Sequence, residues 1–344
     1  MQKRFLILAE GYSHDPHYGK TMRGIVRYRR DEVVAILDSK RAGEEYDAVP
    51  IVGSVKDALA YEPDTALVGV AVAGGRLGPE WRALLRDAIS AGLDVEAGMH
   101  EFLADDPELS LLAHERGVEL RDTRRPPDGL SVPTGANLEL DAAVVLTVGS
   151  DCAVGKKTMA LELDREARSR GIRSVFVPTG QTGIMIAGWG IAVDAVVADF
   201  LAGAAERLVV EGARRGDLLW VEGQGALLHP QFSGVTLGLY HGSAPHALVL
   251  CHVAGQTELE GCPGHALPPL PELVRLYEAV SLPARPATVA AVALNTSLLD
   301  EASARAAIAE AERETGLVAD DPVRFGAGRL VDAVLARLPG QAPR

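Results

Sequence analysis

VVLTVGSDCAVGKKT, residues 144–158, decides the fold. A β-branched apolar run leads into a glycine loop that closes on two lysines and a threonine, and a helical pattern follows. A loop of this build aims backbone N–H groups, a helix N-terminus and an ammonium at one small volume, which makes it a phosphate cradle. The flanks carry the two elements that a cradle requires. A buried strand precedes it, and MALELDREARSRG follows as an amphipathic helix with Gly171 as its C′ stop. The candidate cofactor-binding residues are therefore Gly149, Ser150, Asp151, Cys152, Ala153, Val154, Gly155, Lys156, Lys157 and Thr158.

The spelling departs from the standard Walker A motif in two ways. Five residues rather than four separate Gly149 from Gly155, as in the GTDTxVGKT loop of dethiobiotin synthetase, which this loop resembles. Lys156 takes the place of the motif lysine. The next position, where a Ser or Thr hydroxyl normally ligands Mg²⁺, is Lys157, and the hydroxyl arrives one residue late at Thr158. A pyrophosphate can sit in such a loop without being hydrolysed, with the second lysine replacing part of the missing metal charge.

Working outward, the 344 residues exceed the size at which one core usually stops growing, so two domains are expected. Hydrophobic residues make up 47% and charged residues 24%, the balance of a soluble globular protein. No apolar run is long and uncharged enough to span a bilayer, and MQKRFLILAEGY has too short a core for a signal peptide and reads as a first strand. A cytoplasmic location is expected. The net charge of −13, with no basic tail or stripe, argues against nucleic acid and anionic membranes as partners. Three cysteines, Cys152, Cys251 and Cys262, offer no disulfide framework and suit a reducing compartment.

Both halves alternate apolar runs with helical patterns, the signature of βαβ units and parallel sheets. The expected strands are FLILA, VVAIL, ALVGVAVA and VELRD in the first half. In the second they are the cradle strand, SVFVP, DLLWVEG, ALVLCH and TVAAVALN. Pro79 marks a helix start and Gly92 a helix stop. RDTRRPPDGLSVPTG continues neither element and is the expected boundary between a Rossmann-like domain, 1–130, and a P-loop NTPase-like α/β domain, 131–344.

In an open parallel sheet, ligands lie outside the carboxyl ends of the strands. In the first half these positions are Gly11, Asp38, Gly53, Gly74 and Gly75, and no GxGxxG follows the first strand to support nicotinamide binding. Lys20 and Thr21, at a helix start after the loop EGYSHDPHYGKTMRG, form a second cationic anion site, and Asp38 is placed to accept from a ribose hydroxyl. In the second half, Glu222 in EGQG is placed as a general base, metal ligand or water-orienting carboxylate, with Gln224 beside it. Thr179, Gln181 and Thr182 follow SVFVP as groups for a polar substrate, and Asn295 offers the donor and acceptor that adenine needs. His229, His241, His246, His252 and His265 gather after Glu222 as proton acceptors. Cys251, His252, Cys262 and His265 match no standard zinc spacing, so no metal is expected there.

The strings PIVGSVKDAL, LTVGSDCAVGKKT, FVPTGQTGIMIAGWGIAVDAVVADF, VEGQGALLHPQFSGVTLGLYHGSAPHALVLCH, ALNT and DPVRFG together resemble one family, from Gly11 to about Gly328. That family is catalogued as a domain of unknown function, with a Rossmann-like amino-terminal part and a P-loop carboxyl-terminal part. Its members include the D-glutamate N-acetyltransferases of bacterial D-glutamate catabolism, which use acetyl-CoA. Ala226 stands where that family is expected to carry serine.

The resemblance implies acetyl transfer from acetyl-CoA to the amino group of D-glutamate or a similar acidic amino acid. Glu222, His229 and His241 are then the acid–base candidates, with Lys20, Thr21, Thr179, Gln181, Thr182 and Gln224 at the substrate. VEGQG and ALN are also similar to VEGAGG and the adenine-site Asn of dethiobiotin synthetase, which implies an ATP/Mg-dependent kinase or ligase acting on a small carboxylate as the alternative. A ligand-sensing regulator is the third reading. A homo-oligomer is the general expectation for a cytoplasmic metabolic enzyme.

Overall fold

A computed structural model describes residues 3–70 and 78–338. Gly74 and Gly75 lie outside the described residues. The chain divides into two compact units, one of Met1–Arg125 with Ile184–Trp189, the other of Pro126–Gly183 with Gly190–Arg344. No helix among the described residues is long and apolar enough to cross a membrane.

The first unit runs β1 (Phe5–Leu8), α1 (Lys20–Tyr28), β2 (Val33–Leu37), β3 (Glu45–Tyr46), β4 (Val49–Val52), α2 (Val55–Ala58), β5 (Thr65–Val68), α3 (Pro79–Ser90), β6 (Asp94–Ala97), α4 (Pro107–Arg116) and β7 (Leu120–Asp122). The sheet order is β3-β4-β2-β1-β5-β6-β7, parallel except where β3 pairs antiparallel with β4. FLIL is buried throughout, as a central strand paired with β2 on one side and β5 on the other. Pro79 opens α3 and Gly92 follows its end, at the expected positions. β4 and β6 were not among the expected strands. β6 reads DVEA, and the charges hide a strand whose Glu96 is buried against Lys3 at 3.2 Å and Arg121 at 3.6 Å.

Asp38 departs from its expected role as a ribose acceptor. Its carboxylate takes the amides of Gly11 at 3.1 Å, Ser13 at 3.2 Å and Lys40 at 3.2 Å, and the Ser13 hydroxyl at 2.5 Å. Burial alone would raise its pKa, but these bonds hold it below the ordinary value. The side chain is spent on bracing the loop after β1.

The chain continues with β8 (Ala143–Gly149), α5 (Lys156–Ser169), β9 (Ser174–Val177), α6 (Gln181–Ala187), α7 (Ala198–Ala213), β10 (Leu218–Val221), α8 (Ser233–Ser243), β11 (Ala247–Val253), α9 (Leu270–Ala279), β12 (Thr288–Asn295), α10 (Glu301–Thr315), β13 (Val318–Asp320) and α11 (Gly328–Leu335). These elements belong to the second unit, except that α6 passes into the first at Ile184. All six strands are parallel, in the order β13-β12-β11-β8-β10-β9. The cradle strand β8 is therefore central, and the loops after β9, β10 and β11 leave from the same edge as the cradle. The short strand β13 was not expected.

Candidate functional site

The cradle begins where β8 ends. A Cβ on Gly149 would lie 2.8 Å from the Asp151 carbonyl and 2.9 Å from Lys156 Nζ, so only glycine leaves the hollow open. The loop then turns through two left-handed residues, Ala153 at φ 53° and Gly155 at φ 106°, before α5 starts at Lys156. Such turns point successive N–H groups into a concavity, and the first amides of a helix have no acceptor of their own. Lys156 lies across the loop, buried, and its ammonium donates to the Asp151 carbonyl at 2.7 Å. Burial lowers its pKa from the ordinary lysine value, and an anion in the hollow would relieve that cost. Loop amides and one buried ammonium are a donor set of the kind that phosphate oxygens accept from.

Neighbouring loops hold the cradle in shape. The Asp151 carboxylate accepts from the amides of Cys152 and Glu260 and from Gln256 Nε2, each at 2.6 Å. Ser150 Oγ lies 2.9 Å from His252 Nδ1, and the Tyr277 hydroxyl donates to the Gly149 carbonyl at 2.7 Å. Sequence reading missed Gln256, Glu260 and Tyr277. Tyr277 sits in the ordinary apolar pattern of α9, and nothing in its spacing marks it.

Beside the cradle, Glu222 follows β10. Its Oε2 accepts from the amides of Thr179 at 3.0 Å and Gly180 at 3.2 Å. Burial raises its pKa from 4.5 to about 7, against the opposing pull of the Lys157 charge and those two amides. Thr179 is fully buried, its hydroxyl donating to the Glu222 carbonyl at 2.7 Å, and Gln224 Nε2 donates to the Thr179 carbonyl. Thr179 and Gln224, expected at the substrate, are thus engaged in fixing the Glu222 loop. Gly223 lies where a Cβ would fall on the Thr147 carbonyl and 3.0 Å from Lys156 Cδ, which brings the Glu222 loop against the lysine stem.

The other candidates are distributed as follows. Gln181 and Thr182 open α6. Asn295 ends β12, one strand beyond β11, and its Oδ1 accepts from the Ser297 amide at 3.1 Å. Lys20 and Thr21 open α1 in the first unit, with Thr21 buried. His229 is buried, receives the Gln231 amide on Nδ1 at 3.3 Å and points Nε2 at Cys262 Sγ, 3.8 Å away. Polar atoms of Asp151, Cys152 and His229 lie within 4.8 Å of one another, so this histidine does reach the cradle.

His241 does not join that group. It sits in the last turn of α8, 2.8 Å from the Val280 carbonyl, while the first turn of that helix bonds Gln224 through Thr236 Oγ1 at 2.9 Å. Five residues of helix rise, about 7.5 Å, separate Thr236 from His241, whose ring lies against the residue that follows α9. The four Cys and His positions weighed for zinc also separate: Cys251 is buried in β11, His252 faces Ser150, Cys262 faces His229, and His265 Nδ1 lies 3.4 Å from the Pro263 carbonyl.

Fold and site together define a two-unit α/β protein with a Rossmann-like amino-terminal part and a P-loop carboxyl-terminal part. Residues 38–126 match the DUF1611_N Rossmann-like domain and residues 131–331 the DUF1611_C P-loop domain, both described as domains of unknown function. The chain belongs to this DUF1611 family. A D-glutamate N-acetyltransferase of Tritonibacter scottomollicae is 38% identical over 337 residues, covering 96% of this chain and 98% of that protein. A protein of the same name from a Pseudoalteromonas species is 34% identical over 288 residues, covering 83% and 84%. The crystal structure of a DUF1611 family protein from Anabaena variabilis ATCC 29413 is similar at a TM-score of 0.92 with 43% identity, covering 97% of this chain and 99% of that one.

Proposed function

We propose that this chain is an N-acetyltransferase that moves the acetyl group of acetyl-CoA to the amino group of D-glutamate or a similar acidic amino acid. The observation that carries the reading is a glycine loop closed by Lys156 with a carboxylate of raised pKa, Glu222, after the adjacent strand. The names of the two relatives support it. Coenzyme A carries a diphosphate, which the amides from Val154 to Thr158 and the Lys156 ammonium would bind without hydrolysing it. Asn295 is the candidate for the adenine.

Acetylating an ammonium requires removal of a proton, and a base works best with a pKa near the working pH. Glu222 meets that requirement, and the Thr179 and Gly180 amides keep it oriented. His229 is the second acid–base candidate because it reaches the cradle at Asp151 and Cys152. Gln181 and Thr182, at the start of α6, position the substrate.

The test is incubation of the purified protein with D- and L-glutamate or D-aspartate and either acetyl-CoA or Mg-ATP, followed by mass spectrometry. Acetylated amino acid and free coenzyme A thiol are expected in the acetyl-CoA arm. ADP release that depends on the amino acid, with no acetylated product, would replace this reading with the kinase or ligase one.

A further inference from the structure

P-loop folds ordinarily hold Mg²⁺ through the hydroxyl that follows the motif lysine, helped by an acid after a neighbouring strand. The donor set here does not fit that ion. The hydroxyl position is Lys157, and Thr158 is turned about 100° further round α5, out of the direction the metal needs. The acid position is Glu222, and the Lys157 ammonium acts on it electrostatically, favouring its carboxylate form. Asp151, the carboxylate within the loop itself, is engaged by two backbone amides and Gln256. At the helix position that normally offers a hard cation a hydroxyl, this chain has a lysine.

Lysine usage in the chain makes the same point independently. Residues 126–344 contain fifteen arginines and only two lysines, Lys156 and Lys157. Where any surface cation will serve, this half uses arginine. At the cradle it uses the compact ammonium, a point charge closer to a metal ion in size than a planar guanidinium is.

We propose that Lys157 takes the place of the divalent cation, so that the cradle binds a diphosphate with two ammonium groups and without Mg²⁺. The proposal rests on the reading that the cradle takes a diphosphate, and it holds whether that diphosphate belongs to coenzyme A or to a nucleotide.

The experiment is calorimetric titration of coenzyme A and, separately, ADP into the full chain, in EDTA and in millimolar MgCl₂, for the wild type and for Lys157→Met, Lys157→Arg and Lys157→Thr. The wild type is expected to bind no more tightly with Mg²⁺ than with EDTA. Lys157→Met should weaken binding about tenfold or more, Lys157→Arg less than that, and Lys157→Thr should recover part of its loss only when Mg²⁺ is added. A wild type that Mg²⁺ tightens about tenfold, or a methionine variant that binds as the wild type does, overturns the proposal. The wild-type arms need no variant to fold. Binding of ADP without coenzyme A would remove the acetyl-CoA reading and leave the metal question decided by ADP. Binding of neither removes the cradle and this proposal together.

Discussion

Glu222 is held between two opposing effects: burial disfavours its charge, while two amides and Lys157 favour it, and the balance leaves its pKa at about 7. A base poised there gives an activity that rises with pH through about 7, and Glu222→Gln should lower kcat about a hundredfold or more. The stability consequence has the opposite sense. A carboxyl whose folded pKa is raised contributes fully below its unfolded value of about 4.5, and that contribution is lost as pH rises through 7. Urea midpoints at pH 5 and pH 8 should therefore show Glu222→Gln gaining on the wild type at the higher pH. A constant difference between the two would mean that the carboxyl is not buried in solution. Lys156→Ala should act elsewhere in the kinetics, raising KM for acetyl-CoA by about tenfold or more with a smaller effect on kcat, because on the proposed function its ammonium, which closes the loop on the Asp151 carbonyl, would bind the diphosphate and not the reacting carbonyl. An unchanged KM would detach the loop from the cofactor.

Between β8, β10 and their loops, the site is shaped by where side chains are missing. A Cβ on Gly223 would overlap the Thr147 carbonyl, and backbone cannot move aside as a flexible side-chain tip can. Gly223→Ala should force β10 from β8 at their carboxyl ends, costing about 2 kcal/mol or more and abolishing acetyl-CoA binding. Gly234→Ala in α8, where nothing lies within 4 Å, should be neutral or stabilising by up to about 1 kcal/mol. Paired thermal melts and titrations separate the two outcomes, and equal behaviour of the variants would mean that the strand ends are looser than described.

This contrast also explains what was legible in the chain. The strand–loop–helix around Lys156 is a local motif, and buried runs such as FLIL and LLWV announce themselves. β6 is hidden because Glu96 is paid for by ions from distant positions, Lys3 and Arg121. Thr179 and Gln224 are expected from the sequence at the substrate, but their attachment to the Glu222 loop depends on two strands lying side by side. His241 was drawn in by its closeness in sequence to His229, and only the direction of α8 shows that it leaves the site.

At the scale of the whole molecule, the two units are not successive pieces of chain. Ile184–Trp189 lies far along the sequence yet belongs to the first unit. Met185 is fully buried in that unit's core, in one hydrophobic cluster with Phe5, Met22 and Ile25, and its carbonyl accepts from Arg29 Nη1 at 2.7 Å. Truncating a buried methionine to alanine costs about 2–5 kcal/mol through lost contacts and the cavity left behind. Met185→Ala should therefore destabilise the amino-terminal unit, although the residue is numbered among those of the P-loop half. Hydrogen exchange is the discriminating measurement. Protection is expected to fall at β1, α1 and β2, while β8, β10 and β11 keep theirs. Loss confined to the strands around the cradle would instead assign Ile184–Trp189 to the second unit, and the division of the molecule would then follow the order of the chain.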